Sequence, residues 1–134
     1  MMQYTTEIFF SLIFLFFGVT FLESGIDKLR NPDGNLSWFR DHFANSIFKK
    51  ITTPLFWIIT FQELAVGMIM IISICLTILC EDKNMGHIGL LWSLFLLIQL
   101  FAGQRIAKDY GGASGIVPYI IVAIIGFFLY GFSL

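Results

Sequence analysis

Four apolar stretches, each long enough to cross a lipid bilayer, take up most of this 134-residue chain. They cover residues 8–22 with an extension to about 29, 55–79, 88–107 and 116–134. A hydrocarbon core about 30 Å thick needs roughly 20 helical residues, so each stretch predicts a membrane-spanning helix. Charged residues make up only 13% of the chain, about half the fraction of an average soluble domain. The sequence therefore predicts an all-α integral membrane protein.

The predicted fold is a four-helix bundle that forms one transmembrane domain, residues 1–134. Its membrane helices are expected at about 7–29, 55–80, 87–108 and 116–134. No Lys or Arg precedes Lys28, and no Ala-x-Ala site follows the first apolar run. A cleaved signal peptide needs both features, so the first run is expected to stay in place as a helix.

The first connection is the long one, and it opens with a pattern typical of a turn, Asn31 to Asn35. Beyond it Leu36, Phe39 and Phe43 recur at helical spacing with polar residues opposite them. This predicts an amphipathic helix at about 36–49 in the membrane interface. Two interpretations stay open. Its residues Trp38, Phe39 and Phe43 either anchor it in the membrane surface or form a lid over a site between the membrane helices.

The third connection is short and rich in glycine, from Asp109 to Gly115, and Pro118 is expected in the first turn of the last helix. It predicts a tight hairpin, although its free amides could also hold an anion. Basic residues indicate the orientation, because seven of the eight lie in or beside the first and third connections. The positive-inside rule makes that side cytoplasmic and leaves both termini outside.

Polar residues lie within or at the ends of the apolar stretches, and they are the candidate site. The residues of this predicted polar cluster are Glu23, Asp27, Lys28, Gln62, Glu63, Gln99, Gln104, Arg105 and Asp109. Each would be costly against lipid, so they are expected to converge in the cytoplasmic half of the bundle. One interpretation is a structural network in which Arg105 and Lys28 neutralise the carboxylates. The other is a pocket for a small polar headgroup, or a proton-carrying carboxyl at Glu63.

Other chemistries find little support in the sequence. A net charge of −1 argues against a nucleic-acid partner. Cys75 and Cys80 are five residues apart, which fits neither a redox pair nor a metal site, and both are expected to be buried thiols. His42 and His87 are expected at opposite ends of the bundle, so no metal site is predicted. No catalytic motif is recognisable, and enzymatic activity is left open.

Two segments resemble DoxX-like membrane proteins of bacteria. The segment from Phe101 to Ala113 resembles the end of helix three in that family, and the segment from Gly18 to Leu29, with Asp27-Lys28-Leu29, resembles the end of helix one. The resemblance implies a four-helix bundle in the bacterial cytoplasmic membrane. Some members of the family resemble subunits of quinone-reducing thiosulfate oxidoreductases, and others look like partners of redox or detoxification proteins.

Three functions follow as hypotheses. The leading one is an accessory membrane subunit that binds a small amphiphile or a protein partner through the polar cluster, alone or as a homo-oligomer. The second is a quinone-binding subunit of an oxidoreductase, in which a carboxyl from Glu23 or Glu63 passes protons. No cofactor is predicted apart from that quinone. The third, small-molecule transport, is disfavoured because no inverted repeat is visible.

Overall fold

The computed structural model describes residues 1–133, and all their regular structure is helical. The helices are α1 (Met2–Arg30), α2 (Pro32–His42), α3 (Thr52–Leu79), α4 (Asn84–Ile106) and α5 (Tyr110–Phe132), with a short 3-10 turn at Lys49–Ile51 before α3. The four long helices α1, α3, α4 and α5 are each long and apolar enough to cross a bilayer. The prediction of an all-α chain with four long apolar helices is confirmed.

The long helices pack in the order α1, α3, α4, α5. The close approach of α1 to α3 depends on glycines. A Cβ atom added to Gly67 would lie 2.6 Å from Leu22 Cγ and 3.0 Å from the Leu22 backbone nitrogen. One added to Gly25 would lie 2.8 Å from Leu64 Cδ2. Small residues at such positions let two helix backbones approach closely, as in many membrane helix pairs.

The core is built on phenylalanines of α1. Phe10, Phe14, Phe17 and Phe21 recur at spacings of three and four residues, so they share one helix face, and all four are buried. Tyr130 of α5 packs edge-on against this row, with its ring centroid 5.2 Å from that of Phe14. The outward faces carry large apolar side chains instead, and α5 is the long helix with the smallest buried share, 17% of its apolar segment.

The amphipathic helix of the first connection begins and ends earlier than the predicted 36–49. Asn31 is its N-cap, because the Asn31 side-chain oxygen accepts from the Gly34 amide at 3.2 Å, and Pro32 occupies the first turn. The expected turn is therefore the start of α2. The helix ends at His42, and Ser46 Oγ then accepts from the Phe48 amide at 3.2 Å in a turn that replaces helical bonding.

The third connection is shorter than predicted. Helix α5 begins at Tyr110 rather than near residue 116, so the glycine-rich segment forms its first turns and Pro118 lies inside it. Asp109 causes this early start, because its carboxylate accepts from the Gly112 amide at 2.8 Å. One of the amides expected to be free is therefore already satisfied by Asp109.

Candidate functional site

A cavity of about 460 Å³ opens between α2 and the adjoining parts of α1, α3 and α4. Its size is within the range of small-ligand pockets. Its polar lining residues are Ser24, Lys28, His42, Glu63, Gln99 and Gln104. From α2, the residues predicted as lid or anchor, Trp38, Phe39 and Phe43, all line it. The cavity is therefore mostly apolar with a few convergent polar groups.

The cavity contains a buried ion pair that joins α1 to α3. Lys28 Nζ lies 2.8 Å from Glu63 Oε2, and the two residues are 8% and 2% exposed. Ser24, one turn before Lys28, completes the arrangement. Its hydroxyl accepts from Lys28 Nζ at 2.8 Å and donates to Glu63 Oε1 at 3.0 Å. Each charge is thus both neutralised and hydrogen-bonded, which a buried pair requires to be tolerated.

Two glutamines form a second polar contact, between α3 and α4. Gln62 Nε2 donates to Gln99 Oε1 at 2.9 Å, and Gln99 Nε2 donates back to Gln62 Oε1 at 3.1 Å. The Trp92 indole nitrogen also donates to Gln62 Oε1, at 3.3 Å. Because the two amides satisfy each other, Gln62 and Gln99 connect α3 to α4 through a reciprocal pair of hydrogen bonds.

A third polar contact ties α2 to the end of α4. His42 Nε2 is hydrogen-bonded to Gln104 Oε1, and its ring stacks on Trp38 with the centroids 4.5 Å apart. The carboxylate of Asp109 lies 4.0 Å from the same His42 nitrogen. Since an amide oxygen only accepts, this hydrogen bond requires a proton on Nε2 of His42. The cavity therefore has polar groups near both α2 and the α1–α3 contact.

The structure divides the predicted polar cluster. The cavity is lined by four members of the cluster: Lys28, Glu63, Gln99 and Gln104. Three others are exposed outside the cavity: Glu23, Asp27 and Arg105. Gln62 flanks the cavity beside Gln99, and Asp109 caps α5. Asp27 accepts from Asn35 Nδ2 at 3.3 Å, and Arg105 stacks over the Tyr110 ring at 4.5 Å. In residues 1–133 Arg105 makes no ion pair with a carboxylate, so the pairing that one of the two interpretations gave it is absent there, whereas its pairing for Lys28 is present.

Helix geometry explains why Glu23 and Asp27 lie outside. Successive residues of a helix are rotated by about 100°, so Ser24 and Lys28 face α3 only if Glu23 and Asp27 do not. The row of buried phenylalanines ending at Phe21 continues to Ser24 and Lys28 at the same spacing. That periodicity is the signal in the sequence that identifies Ser24, which sequence reasoning missed.

His42 is the other polar lining residue that the sequence did not indicate as part of the site. It lies one turn after Trp38 in the amphipathic helix, so the two rings share a helix face. The expectation that His42 and His87 lie far apart agrees with their surroundings, because His87 stacks on Phe127 near the other end of α5. Within residues 1–133 no group of three or more His, Cys, Asp or Glu side chains is placed to hold a metal ion.

The two cysteines differ from expectation, because both are exposed. Cys75 lies in the last turns of α3, and Cys80 follows directly after its end. The buried residues Ser73 and Thr77 are each rotated by about 200° from Cys75 around the helix, so Cys75 lies on the opposite, outward face. Neither thiol contributes to the cavity.

Asp109 gives a first prediction, because its carboxylate caps α5. Replacing it with Ala should lower the free energy of unfolding by about 1 kcal/mol, the usual loss when a helix N-cap is removed. Asp109→Asn keeps a side-chain oxygen for the Gly112 amide and is the matched control, with little expected change. Denaturant unfolding of the purified protein measures both. Equal losses in the two variants would contradict the capping role.

No family model, no curated protein and no solved structure matches this chain. The similarity to DoxX-like proteins stays a prediction that rests on the two short segments. The feature that indicates a function is the cavity itself, which combines an apolar wall, a neutralised ion pair and an aromatic helix on one side.

Proposed function

We propose that this protein is a multi-pass membrane protein that binds a small amphiphile in the cavity beside α2. The observation that carries the proposal is the cavity of about 460 Å³, apolar over most of its wall and lined by the buried Lys28–Glu63 pair. An amphiphile matches both parts of such a lining. If the ion pair served only to hold the helices together, side chains would be expected to fill the space beside it, because protein interiors are close-packed.

Membrane insertion is supported by the outward faces of the four long helices. Large apolar side chains are exposed along them, including Leu12, Phe61, Phe95 and Phe128, each more than half exposed. On a water-soluble protein an apolar surface of this extent would cause association. In a bilayer it faces lipid chains. The DoxX-like segments favour the bacterial cytoplasmic membrane as its location.

The orientation follows from the basic residues. Arg30, Arg40, Lys49, Lys50 and Lys108 all lie at the end of the bundle where α1 and α4 finish, which is also the end with the cavity. The positive-inside rule makes this end cytoplasmic, with both termini on the other side. The cavity then opens towards the inner leaflet, where an amphiphile can enter from the lipid.

Helix α2 would lie in the cytoplasmic interface and cover the cavity. Trp38 is 54% exposed, as suits an interfacial anchor, while Phe43 is buried against the bundle. Phe39 packs edge-on against Phe56 of α3 with the centroids 5.3 Å apart. One side of the helix thus contacts the bundle and the other is free to contact headgroups. In this proposal α2 acts both as the membrane anchor and as the lid, which the sequence left as alternatives.

A cavity-filling substitution tests the binding proposal. Gly103 lines the cavity, and a Cβ atom there would meet Phe43 at an ordinary distance of 3.5 Å, so Gly103→Leu should fold and occupy the space. We expect the wild type in lipid nanodiscs to be stabilised by a bound amphiphile and the variant not to be. The measurement is the melting temperature with and without short-chain amphiphiles.

Gly115→Leu is the matched control for that experiment. It makes the same exchange in a helix, but a Cβ atom at Gly115 meets no other atom within 4 Å, and Gly115 is not part of the cavity lining. It should keep the stabilisation by ligand. Equal ligand-induced shifts in the wild type, Gly103→Leu and Gly115→Leu would overturn the proposal.

A quinone-binding subunit of an oxidoreductase is the second candidate. The stacked rings of Trp38 and His42 beside Gln104 favour it, because a flat ring with carbonyl groups could stack there and accept from the side-chain amide nitrogen of Gln104. Adding quinone analogues to the melting experiment tests this. Stabilisation by a quinone but not by an aliphatic amphiphile, lost in Trp38→Ala, would support it. Quinol-dependent electron flow that is unchanged by deletion of the gene would count against it.

A further inference from the structure

The hydrogen-bonding groups of the buried ion pair are almost fully used. The ammonium of Lys28 has three donors, and they reach Glu63 Oε2 at 2.8 Å, Ser24 Oγ at 2.8 Å and, as the weakest contact, the Ser24 carbonyl at 3.5 Å. The Ser24 hydroxyl donates to Glu63 Oε1. Neither Lys28 nor Ser24 therefore has a free donor for a ligand.

Glu63 is different, because a carboxylate has about four lone-pair sites and these contacts fill two. The unused hydrogen-bonding capacity of this part of the cavity is thus that of an acceptor. A ligand group that donates a hydrogen bond can use it. A ligand group that only accepts finds Lys28 and Ser24 already engaged.

The charge of the site leads to a second restriction. Lys28 and Glu63 sum to zero whichever of the two holds the proton between them. The other titratable lining residue is His42. The carboxylate of Asp109 lies 4.0 Å from its Nε2 atom, so a positive charge on His42 would be compensated by a negative one. An ion of either sign that enters the cavity would lose its hydration and gain no net opposite charge in return.

We infer that the site selects an uncharged amphiphile that carries a hydroxyl group, such as a fatty alcohol or a hydroquinone, and excludes fatty anions and alkylammonium cations. This inference rests on the proposed function and narrows its ligand class. The hydroxyl donates to Glu63, and the apolar body lies against Phe39, Phe43 and Ile59 in the cavity wall.

Four probes of equal chain length test the inference on the full chain in lipid nanodiscs. They are 1-decanol, its methyl ether, decyl sulfate and decylammonium, compared at equal concentration in the bilayer. Dissociation constants come from ligand-induced shifts in melting temperature. We expect decanol to bind at least about tenfold more tightly than the ether and about 100-fold more tightly than either ion. A hydroquinone with the same alkyl chain is measured as well, so that binding of a fatty alcohol and of a hydroquinone can be compared.

Variants of the pair should change this selectivity in a defined way. Glu63→Gln leaves Lys28 without its counter-charge and should improve binding of decyl sulfate by about tenfold or more, and Lys28→Met should do the same for decylammonium. Because either single variant could fail to fold, the double variant Lys28→Met/Glu63→Gln is included. It restores neutrality and should again prefer decanol to both ions.

The outcomes separate the inference from the proposed function. Wild-type protein that binds decyl sulfate or decylammonium within about threefold of decanol would overturn the charge selection, and equal binding of the ether would overturn the hydroxyl requirement. In both cases amphiphile binding itself would stand. If none of the probes changes the melting temperature of the wild type, the proposed function fails and the inference fails with it.

Discussion

Replacing Lys28 with Met should lower the free energy of unfolding by about 3–5 kcal/mol, because it leaves a buried carboxylate without a counter-charge. Glu63 is 2% exposed, and Lys28 Nζ at 2.8 Å supplies its only opposite charge in residues 1–133 within ion-pair distance. Ser24 would remain as a single donor to Glu63 Oε1. Unfolding of the purified protein in a denaturing detergent measures the loss.

The double variant Lys28→Met/Glu63→Gln is the control for this prediction. Removing both charges also removes the cost of burying them, so the double variant should recover most of the stability lost in Lys28→Met. A double variant as unstable as the single one would show that Lys28 acts through its packing rather than its charge. An unchanged single variant would show that the pair is solvated in the folded protein.

Gly67→Leu should have an effect of similar size, for a steric reason. A Cβ atom at Gly67 would lie 3.0 Å from the Leu22 backbone nitrogen, and a backbone atom cannot move aside without shifting the whole of α1. The expected loss in free energy of unfolding is about 3 kcal/mol, the upper end for overpacked cores. Gly67→Ala should fall lower in the same range, and thermal unfolding in detergent measures both.

Gly115→Leu provides the comparison, since a Cβ atom there has open space and the same exchange in a helix removes the flexibility of glycine. Its stability should equal or slightly exceed that of the wild type. If Gly67→Leu and Gly115→Leu melt at the same temperature, the close contact of α1 with α3 does not exist in the purified protein. That result would also move Lys28 away from Glu63, because both contacts join the same two helices.

Much of the fold could be predicted because it depends on local properties. Hydropathy and length located four long apolar helices, and a pattern of apolar residues at helical spacing located α2. The helix ends were less accurate. Asn31 and Asp109 are residues that suit turns as well as helix caps, and in both places the structure uses them as caps. The first turns of α2 and α5 were therefore expected to be loops.

The candidate site could be predicted only in part. Glu63, Gln99 and Gln104 were expected to be important because polar groups are costly in an apolar stretch, and all three line the cavity. The same argument also included Arg105 in the cluster, because the cost of a polar group does not distinguish the middle of a helix from its end. At the end of α4 Arg105 is exposed and stacks on Tyr110.

The sequence by itself determined the number of long helices, their apolar outer faces and the residue types available for a site, since these depend on composition and on spacing along one chain. Only the tertiary structure decided that Lys28, rather than Arg105, pairs with Glu63, and that a cavity remains beside the pair. A rotation of α1 by about 100° would exchange Ser24 for Glu23 at the contact with α3. Packing of Gly25 and Gly67 between these helices fixes that rotation, and it is a property of two helices together.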